Sequence, residues 1–518
     1  MKPMEPEQWE KQLAGTPIRP GEGGFSKQLM RKIKERVEVR ERPRNRTWLR
    51  VGPVLAFCML ILVFGISEKE QLGVWLSHLS KPVTPIALEP IDKVKETTLK
   101  VAYFHENTFM TRYGKAYTIR YPNIEVKVIP VGDNGWNDRT NKAMVLELMD
   151  KEKPDVLYLP TFLYGELAKE GRLYPLDAVM KQDNYDLHNQ NSGITDLLRK
   201  LGDGKLYGLT PEYDMNAIYY NKDLFDKYGI PYPVSGMSWE AILQLAARFP
   251  TDGNGNDRVY GFMPYYYSEA SGLAELIAKT DGLSLLNAKG DKVTLNTEAW
   301  KKAWSLAIDG YAKRYIYQRQ PSPQGNMMMD EVYRRNPFIS GTAAIALGGY
   351  SLSRDLEIAK SQYKMKSFNW DIVSEPVNPA HPDESPSIIP GPVYAVNAQS
   401  DQQRAAWEMV KLINSEEMAR KLSRTMGGGS LSTRFQSVKP NDGHNYAPFY
   451  SMKPAALDME SSLIHPRILG KFKEGYYPLA AQQAKAVAEG RMKLDEALKQ
   501  LQDEGQQALY SALLSSSN

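Results

Sequence analysis

The chain has 518 residues, 42% hydrophobic and 24% charged, a length too great for one core and a balance ordinary for a globular protein. Its formal charge of +4 is unevenly placed: residues 1–50 carry 13 Lys/Arg and 7 Glu, a net of +6, so the remaining 52 basic and 54 acidic residues sum to −2. A main body without basic excess argues against a nucleic-acid partner, and the single cysteine, Cys58, excludes an intrachain disulfide and a cysteine-based metal site.

The N-terminal elements speak of a membrane. Phe25, Leu29, Ile33 and Val37 repeat every four residues among Lys27, Arg31, Lys32, Lys34 and Arg36. That spacing makes a basic amphipathic helix, suited either to an anionic leaflet or to plain solvation beside the membrane. Val51 to Ser67 is free of charge over 17 residues, about the least that crosses a hydrocarbon layer. Trp48 and Trp75 flank it as interfacial residues do. Nine Lys/Arg occupy residues 31–50 against only Lys69 and Lys81 in 68–87, which predicts a cytoplasmic N-terminus and everything beyond Ser67 outside. The long lead before the apolar run and the lack of a small-x-small site favour an uncleaved signal anchor. Cys58 sits in mid-run, unlike a lipoprotein cysteine. Pro82, Pro85 and Pro90 then stiffen a stalk that ends near Glu96.

From Thr97 onward strands and helices alternate. Leu99 to Phe104 reads as a strand, and Phe109, Tyr113, Ala116 and Tyr117 keep helical spacing. Ile124 to Ile129 alternates as a strand, Ala143 to Met149 is helical, and Asp155 to Leu159 is a buried strand broken at Pro160. A helix over Tyr164–Glu170 ends at Gly171. This order predicts a largely parallel sheet covered by helices. After Pro211 the pattern restarts with Ala217–Asn221, a Ser238-capped helix, and strands at Ala343–Leu347, Trp370–Val373 and Val393–Val396. Ala405–Ile413 is helical, and Leu494, Ala497, Leu498 and Leu501 mark a last amphipathic helix. A sheet edge followed by a chain that leaves and begins a second sheet is how a cleft between two lobes is built.

Several strings resemble one family in order. They are Tyr121-Pro122-Asn123-Ile124-Glu125-Val126, Ala168 through Asp177, Gly204 to Leu209 with Tyr220 to Phe225, Phe338 to Ala344, Asn369 to Val373, and Gly490 through Leu498. Together, over about residues 97–510, they are similar to family 1 extracellular solute-binding proteins of ABC importers, the maltodextrin-binding-protein-like group. The resemblance implies an α/β, two-lobed periplasmic-binding-protein-like (Venus-flytrap) fold, here preceded by one transmembrane helix. It implies crossings near Pro211–Asn216 and Ile388–Val393. Residues 1–50 become a cytoplasmic tail, 51–67 the anchor and 68–96 the stalk. Residues 97–211 with 391–440 make lobe one, and 212–390 with 441–518 make lobe two. The implied partners are a carbohydrate ligand and ABC permease subunits, with no catalytic residue. The membrane-retained N-terminus departs from the lipid-anchored members, which leaves a membrane-anchored sugar sensor as an alternative.

By position in that family pattern, ligand contacts are expected from His105, Glu106 and Asn107 after the first strand and from Thr161 and Phe162 after the third. Tyr213 and Asp214 follow in the crossing, then Tyr265, Tyr266 and Tyr350 in lobe two, and Tyr476 late in the chain. The 30 tyrosines against 14 phenylalanines suit a surface that offers an apolar face and a hydroxyl together. Asp252, Asn254 and Asn256 space oxygens as the start of a calcium loop does, but Asp257 replaces the turn glycine and Met263 the closing glutamate. A polar turn is the stronger reading, and no cofactor is expected. The six histidines lack zinc-protease spacing, and neither a phosphate loop nor a nucleophile elbow occurs. Paired carboxylates leave a glycoside hydrolase as a further alternative.

Overall fold

The computed structural model describes residues 87–131, 142–253, 258–264, 269–319, 327–425, 429–455 and 466–515. The chain divides into two units, 1–80 and 81–518, and every described residue belongs to the second. The expected tail, the span Val51–Ser67 and most of the stalk lie outside the described residues. Among the described residues no helix is long and apolar enough to cross a membrane.

The first sheet forms where the sequence is richest in buried aliphatics and tyrosines. β1 (Thr97–Tyr103), β2 (Ile124–Pro130) and β3 (Val156–Leu159) run parallel, with Val101 opposite Val128 on one side and Val156 on the other. β4 (Gly208–Leu209) forms the far edge. Gly208 is required there, because a Cβ would lie 2.6 Å from Val393 Cγ1 and 2.8 Å from the Tyr394 carbonyl. The helix Thr161–Lys169 stops at Gly171, whose φ of +67° suits a residue without a side chain. Of the string Gly204–Leu209, only the last two residues are strand.

After β4 the chain leaves the sheet. β5 (Glu212–Asp214) is a short crossing strand, and β6 (Asn216–Asn221) opens a second sheet. Asn221 caps the helix Lys222–Tyr228 by accepting from the Leu224 amide, and Ser238 caps Trp239–Ala246 by accepting from Ala241. β7 (Tyr260–Pro264), β8 (Ala343–Gly349) and β9 (Trp370–Ser374) complete this sheet in the order β7-β8-β6-β9. β6 is antiparallel to both β8 and β9. Strand alternation divides its faces. Ile218 and Tyr220 pack with Trp239, Trp304 and Ile345, whereas Ala217 and Tyr219 pack with Phe338, Ala346 and Phe449.

The chain then returns. β10 (Glu384–Ser385) precedes β11 (Ile389–Pro390), which pairs antiparallel with β5, Ile389 opposite Asp214. β12 (Val393–Val396) re-enters the first sheet between β3 and β4, antiparallel to both, so the expected largely parallel sheet carries one reversed strand. The helix Gln403–Ile413 is fastened by Asp183, which accepts from Arg404 at 2.8 and 3.0 Å, Lys411 at 2.8 Å and Trp407 at 2.9 Å. Burial opposes the Asp183 charge, but these donors outweigh it and hold its pKa down to about 2. β13 (Leu431–Ser432) crosses a third time and pairs with the other edge of β5, Leu431 opposite Tyr213. β14 (Lys453–Pro454) pairs with β10. The helices Pro466–Ala488 and Leu494–Leu514 pack into the second sheet's core through Phe472, Tyr476, Leu498 and Leu501.

The last residues of the expected stalk are not extended from the body. Leu88 and Ile91 pack against the first core, and Leu88 exchanges backbone hydrogen bonds with the Gln182 amide at 3.0 and 2.7 Å.

Candidate ligand-binding site

Three antiparallel crossing strands, β11-β5-β13, stand between the two sheets and hold the side chains of the candidate site. On β5 the side chains alternate. Tyr213 is 1% exposed and its hydroxyl donates to the Phe449 carbonyl, so it is a core residue and not a ligand contact. Glu212 and Asp214 share the opposite face.

Glu212 accepts from Arg112 Nη2 at 3.0 Å. Arg112 lies on a π-helical turn, Met110–Gly114, that comes after β1. Its guanidinium carbon is 5.5 Å from the Tyr113 ring centroid. Burial works against the Arg112 charge, but the surrounding tyrosines and Glu212 more than offset it and raise its pKa above the ordinary guanidinium value. Behind it lies an aromatic layer on the ends of β1, β3 and β12. Tyr103 meets Tyr158 at 4.8 Å and Tyr394 at 6.4 Å between centroids, and Tyr113 meets Tyr394 edge-on at 5.8 Å. Burial pushes the hydroxyls of Tyr103, Tyr113, Tyr158 and Tyr394 above the usual phenol range, so all remain neutral donors.

A cavity of about 170 Å³ opens between the Arg112–Glu212 pair and the second lobe. Arg112 and Glu212 line it with the helix residues Ala419 and Leu422, the crossing residues Ser432 to Phe435, and Tyr350 and Arg354 from the second lobe. Tyr350 comes directly after β8 and packs edge-on against Phe435 at 5.0 Å. A neighbouring cavity of about 290 Å³ shares Tyr350 and adds Asp214, Lys279 and Ser387. A third, of about 450 Å³, is lined by Thr161, Phe162 and the crossing residues Ile388 to Pro390.

The expected site residues therefore separate. Asp214 and Tyr350 come together, and Thr161 and Phe162 face the second crossing. His105, Glu106 and Asn107 are exposed at the end of β1. Tyr476 is 0% exposed, stacked on Phe472 at 5.4 Å and packed beside Gly505, so no ligand in the cleft reaches it. Tyr265, Tyr266, Asn254 and Asn256 lie outside the described residues; Asp252 is described, and no cluster of metal-ligating side chains occurs among the described residues. Sequence reasoning missed Arg112, Glu212 and Arg354. Glu212 had a signal, because it stands two residues from Asp214 and a strand turns both to one face. Arg112 and Arg354 had none, since only folding brings residues 242 positions apart to one cavity.

Residues 102–420 match the family model of bacterial extracellular solute-binding proteins. The chain belongs to that family. Its members are binding proteins and not enzymes, which removes the glycoside hydrolase alternative. A chain named only as a binding protein, from Brucella abortus (strain 2308), is 27% identical over 250 residues, 46% of this chain and 56% of that one. The match thus spans just over half the length of such curated relatives. The solute-binding fold is shared with the sugar-binding protein MalE from Xanthomonas citri at a TM-score of 0.57, 17% identity, and coverage of 81% of this chain and 99% of that one. A family 1 extracellular solute-binding protein from Alicyclobacillus acidocaldarius gives 0.55 at 17% identity over 82% and 99%. A Rhizobium etli sugar transporter in an open conformation gives 0.52 at 22% identity over 79% and 98%. These likenesses establish the two-lobed fold.

Proposed function

We propose that the chain is the membrane-anchored binding component of a carbohydrate importer. It captures an oligosaccharide between its lobes outside the cell and presents the closed form to an ABC permease. The supporting observation is the pair of adjoining cavities lined by residues that precede the first crossing, by crossing strands and by the second lobe, with Tyr350 common to both. A ring face beside carboxylates and guanidinium groups suits a molecule with C–H faces and many hydroxyls. MalE from Xanthomonas citri is a sugar-binding protein and the Rhizobium etli relative a sugar transporter, which supports the ligand class. The charge-free run Val51–Ser67, with nine basic residues before it, supports the anchor and its orientation. Asp214, Tyr350, Thr161 and Phe162 are the proposed contacts among the residues expected from sequence, together with the exposed His105, Glu106 and Asn107.

Closure on a ligand is a population shift toward contacts made only in the closed state. The full chain in mild detergent is expected to gain several degrees in melting temperature with its cognate saccharide and to become more compact by small-angle scattering. A screen of neutral and acidic mono- and oligosaccharides in which none moves either quantity would refute the reading.

A further inference from the structure

The charged residues lining the cavity between Arg112 and Tyr350 are three arginines, Arg112, Arg354 and Arg434, against one carboxylate, Glu212. The lining thus carries a net +2 inside a body whose sequence beyond residue 50 sums to −2. Glu212 is already committed to Arg112 at 3.0 Å. Arg434 spends its donors on the Asn414 carbonyl at 2.7 Å and the Tyr185 hydroxyl at 3.2 Å, neither of which bears a balancing charge. Arg354 comes from the helix Ser351–Ser361 of the second lobe, and its Nε is buried with no hydrogen-bond partner. Arg112 comes from the first lobe, and its Nε is likewise buried and unpartnered. Buried donors left unmade are unfavourable, and native structures rarely keep them without a use. Here two guanidinium groups from opposite lobes line one cavity, each with a buried Nε that the protein leaves unpartnered.

Sugar hydroxyls could accept from these nitrogens but would leave the surplus charge unbalanced. A carboxylate does both, because it accepts two N–H bonds from a guanidinium fork and neutralises it. Building on the carbohydrate reading, we propose that the ligand is an acidic saccharide, a uronic-acid oligosaccharide. Its carboxylate is gripped by Arg354 of the second lobe with Arg112 of the first, while a neighbouring ring lies on Tyr350. The carboxylate then links the lobes and favours the closed state. The Arg112–Glu212 pair keeps the first guanidinium oriented.

Galacturonate, glucuronate and mannuronate trisaccharides, each beside its methyl ester, would be titrated calorimetrically into the full chain in detergent at low and high NaCl. The ester keeps the ring and hydroxyls and removes the charge. At least one acid should bind tenfold or more tightly than its ester, and the ratio should shrink at high salt. Arg354→Gln should abolish the acid preference, and Arg354→Lys should restore part of it. Esters or neutral trisaccharides binding as tightly as the acids would overturn the acidic-ligand proposal and leave the carbohydrate reading standing. An acid preference unchanged in Arg354→Gln would overturn the assignment to that arginine. No binding by any saccharide, charged or neutral, would overturn both. The acid-to-ester ratio and its salt dependence are read on the unmodified protein, so they decide the matter even if a variant fails to fold.

Discussion

Glu375 shows how one residue couples the second lobe to pH. It is buried, accepts from the Ser385 hydroxyl and from Ser387 Oγ at 2.7 Å, and Ser387 Oγ in turn accepts from the Asn216 amide at 2.9 Å where β6 begins. Burial, only partly offset by these hydroxyls, pushes its pKa up to about 7. The folded protein then keeps a proton up to about pH 7 that the unfolded chain releases near the ordinary carboxyl value of 4.5. Stability from this group is full below the unfolded value and is lost as pH rises through the folded one. Glu275, raised to about 7 by burial beside Tyr476 and Tyr477, acts in the same direction. In urea unfolding at pH 5 and pH 8, Glu375→Gln should gain on the wild type by about 2–3 kcal/mol between the two conditions. An unchanged difference would mean that Glu375 is ionised in the folded state. The sequence shows a glutamate at position 375 between a strand and a turn, but nothing in it distinguishes a buried carboxyl from a solvated one. The hydroxyls that receive it lie 10 and 12 residues away, across a turn.

At the scale of elements, seven strands of four to seven residues were legible, while β7, the crossing strands and the helices Glu298–Ala312 and Pro466–Ala488 were not. β1, β2, β3, β6, β8, β9 and β12 are runs whose apolar residues repeat at the strand period or fill it, and each was readable within two or three residues of its ends. β5, β11 and β13 are two or three residues long and exist only because they pair with one another over more than 170 positions of sequence. No local pattern can announce such pairing. Direction was hidden for the same reason: Val393–Val396 reads equally well either way, and only its insertion between β3 and β4 sets it antiparallel. Tyr476 fails as a ligand residue because the helix Pro466–Ala488 turns that position inward against Phe472 and the helix Leu494–Leu514. Replacing it tests the placement. Tyr476→Ala should destabilise the protein by about 3–5 kcal/mol in denaturant unfolding while leaving the affinity of the folded fraction for its saccharide within about twofold. A selective loss of affinity with unchanged stability would return Tyr476 to the cleft.

For the whole molecule, the three crossing strands form one small sheet through which the chain passes between the lobes. Gly391 donates its amide to the Glu212 carbonyl at 2.8 Å, and a Cβ at that position would lie 2.7 Å from the same oxygen. Gly391→Ala therefore forces β11 away from β5 at the point where Glu212 reaches Arg112. It should cost about 1–3 kcal/mol of stability and weaken saccharide binding, read by calorimetry beside urea unfolding. Wild-type affinity in that variant would show that the crossing pair and the arginine grip are independent. That the chain has the two-lobed fold was foreseeable from the order of its strings along the sequence. The charged character of the cleft was not, because Arg112, Arg354 and Arg434 are scattered among 65 basic residues and their surplus appears only once they share a wall.

The clasp between Leu88 and Gln182 has a mechanical meaning. Where the chain enters the body it is sewn to the first lobe, with Leu88 and Ile91 seated on that lobe's core. Any pull or restraint arriving along the N-terminal segment is thus borne by the first lobe, which becomes the stator. On the proposed function the second lobe is the rotor, and capture would swing Tyr350 and Arg354 toward the first lobe.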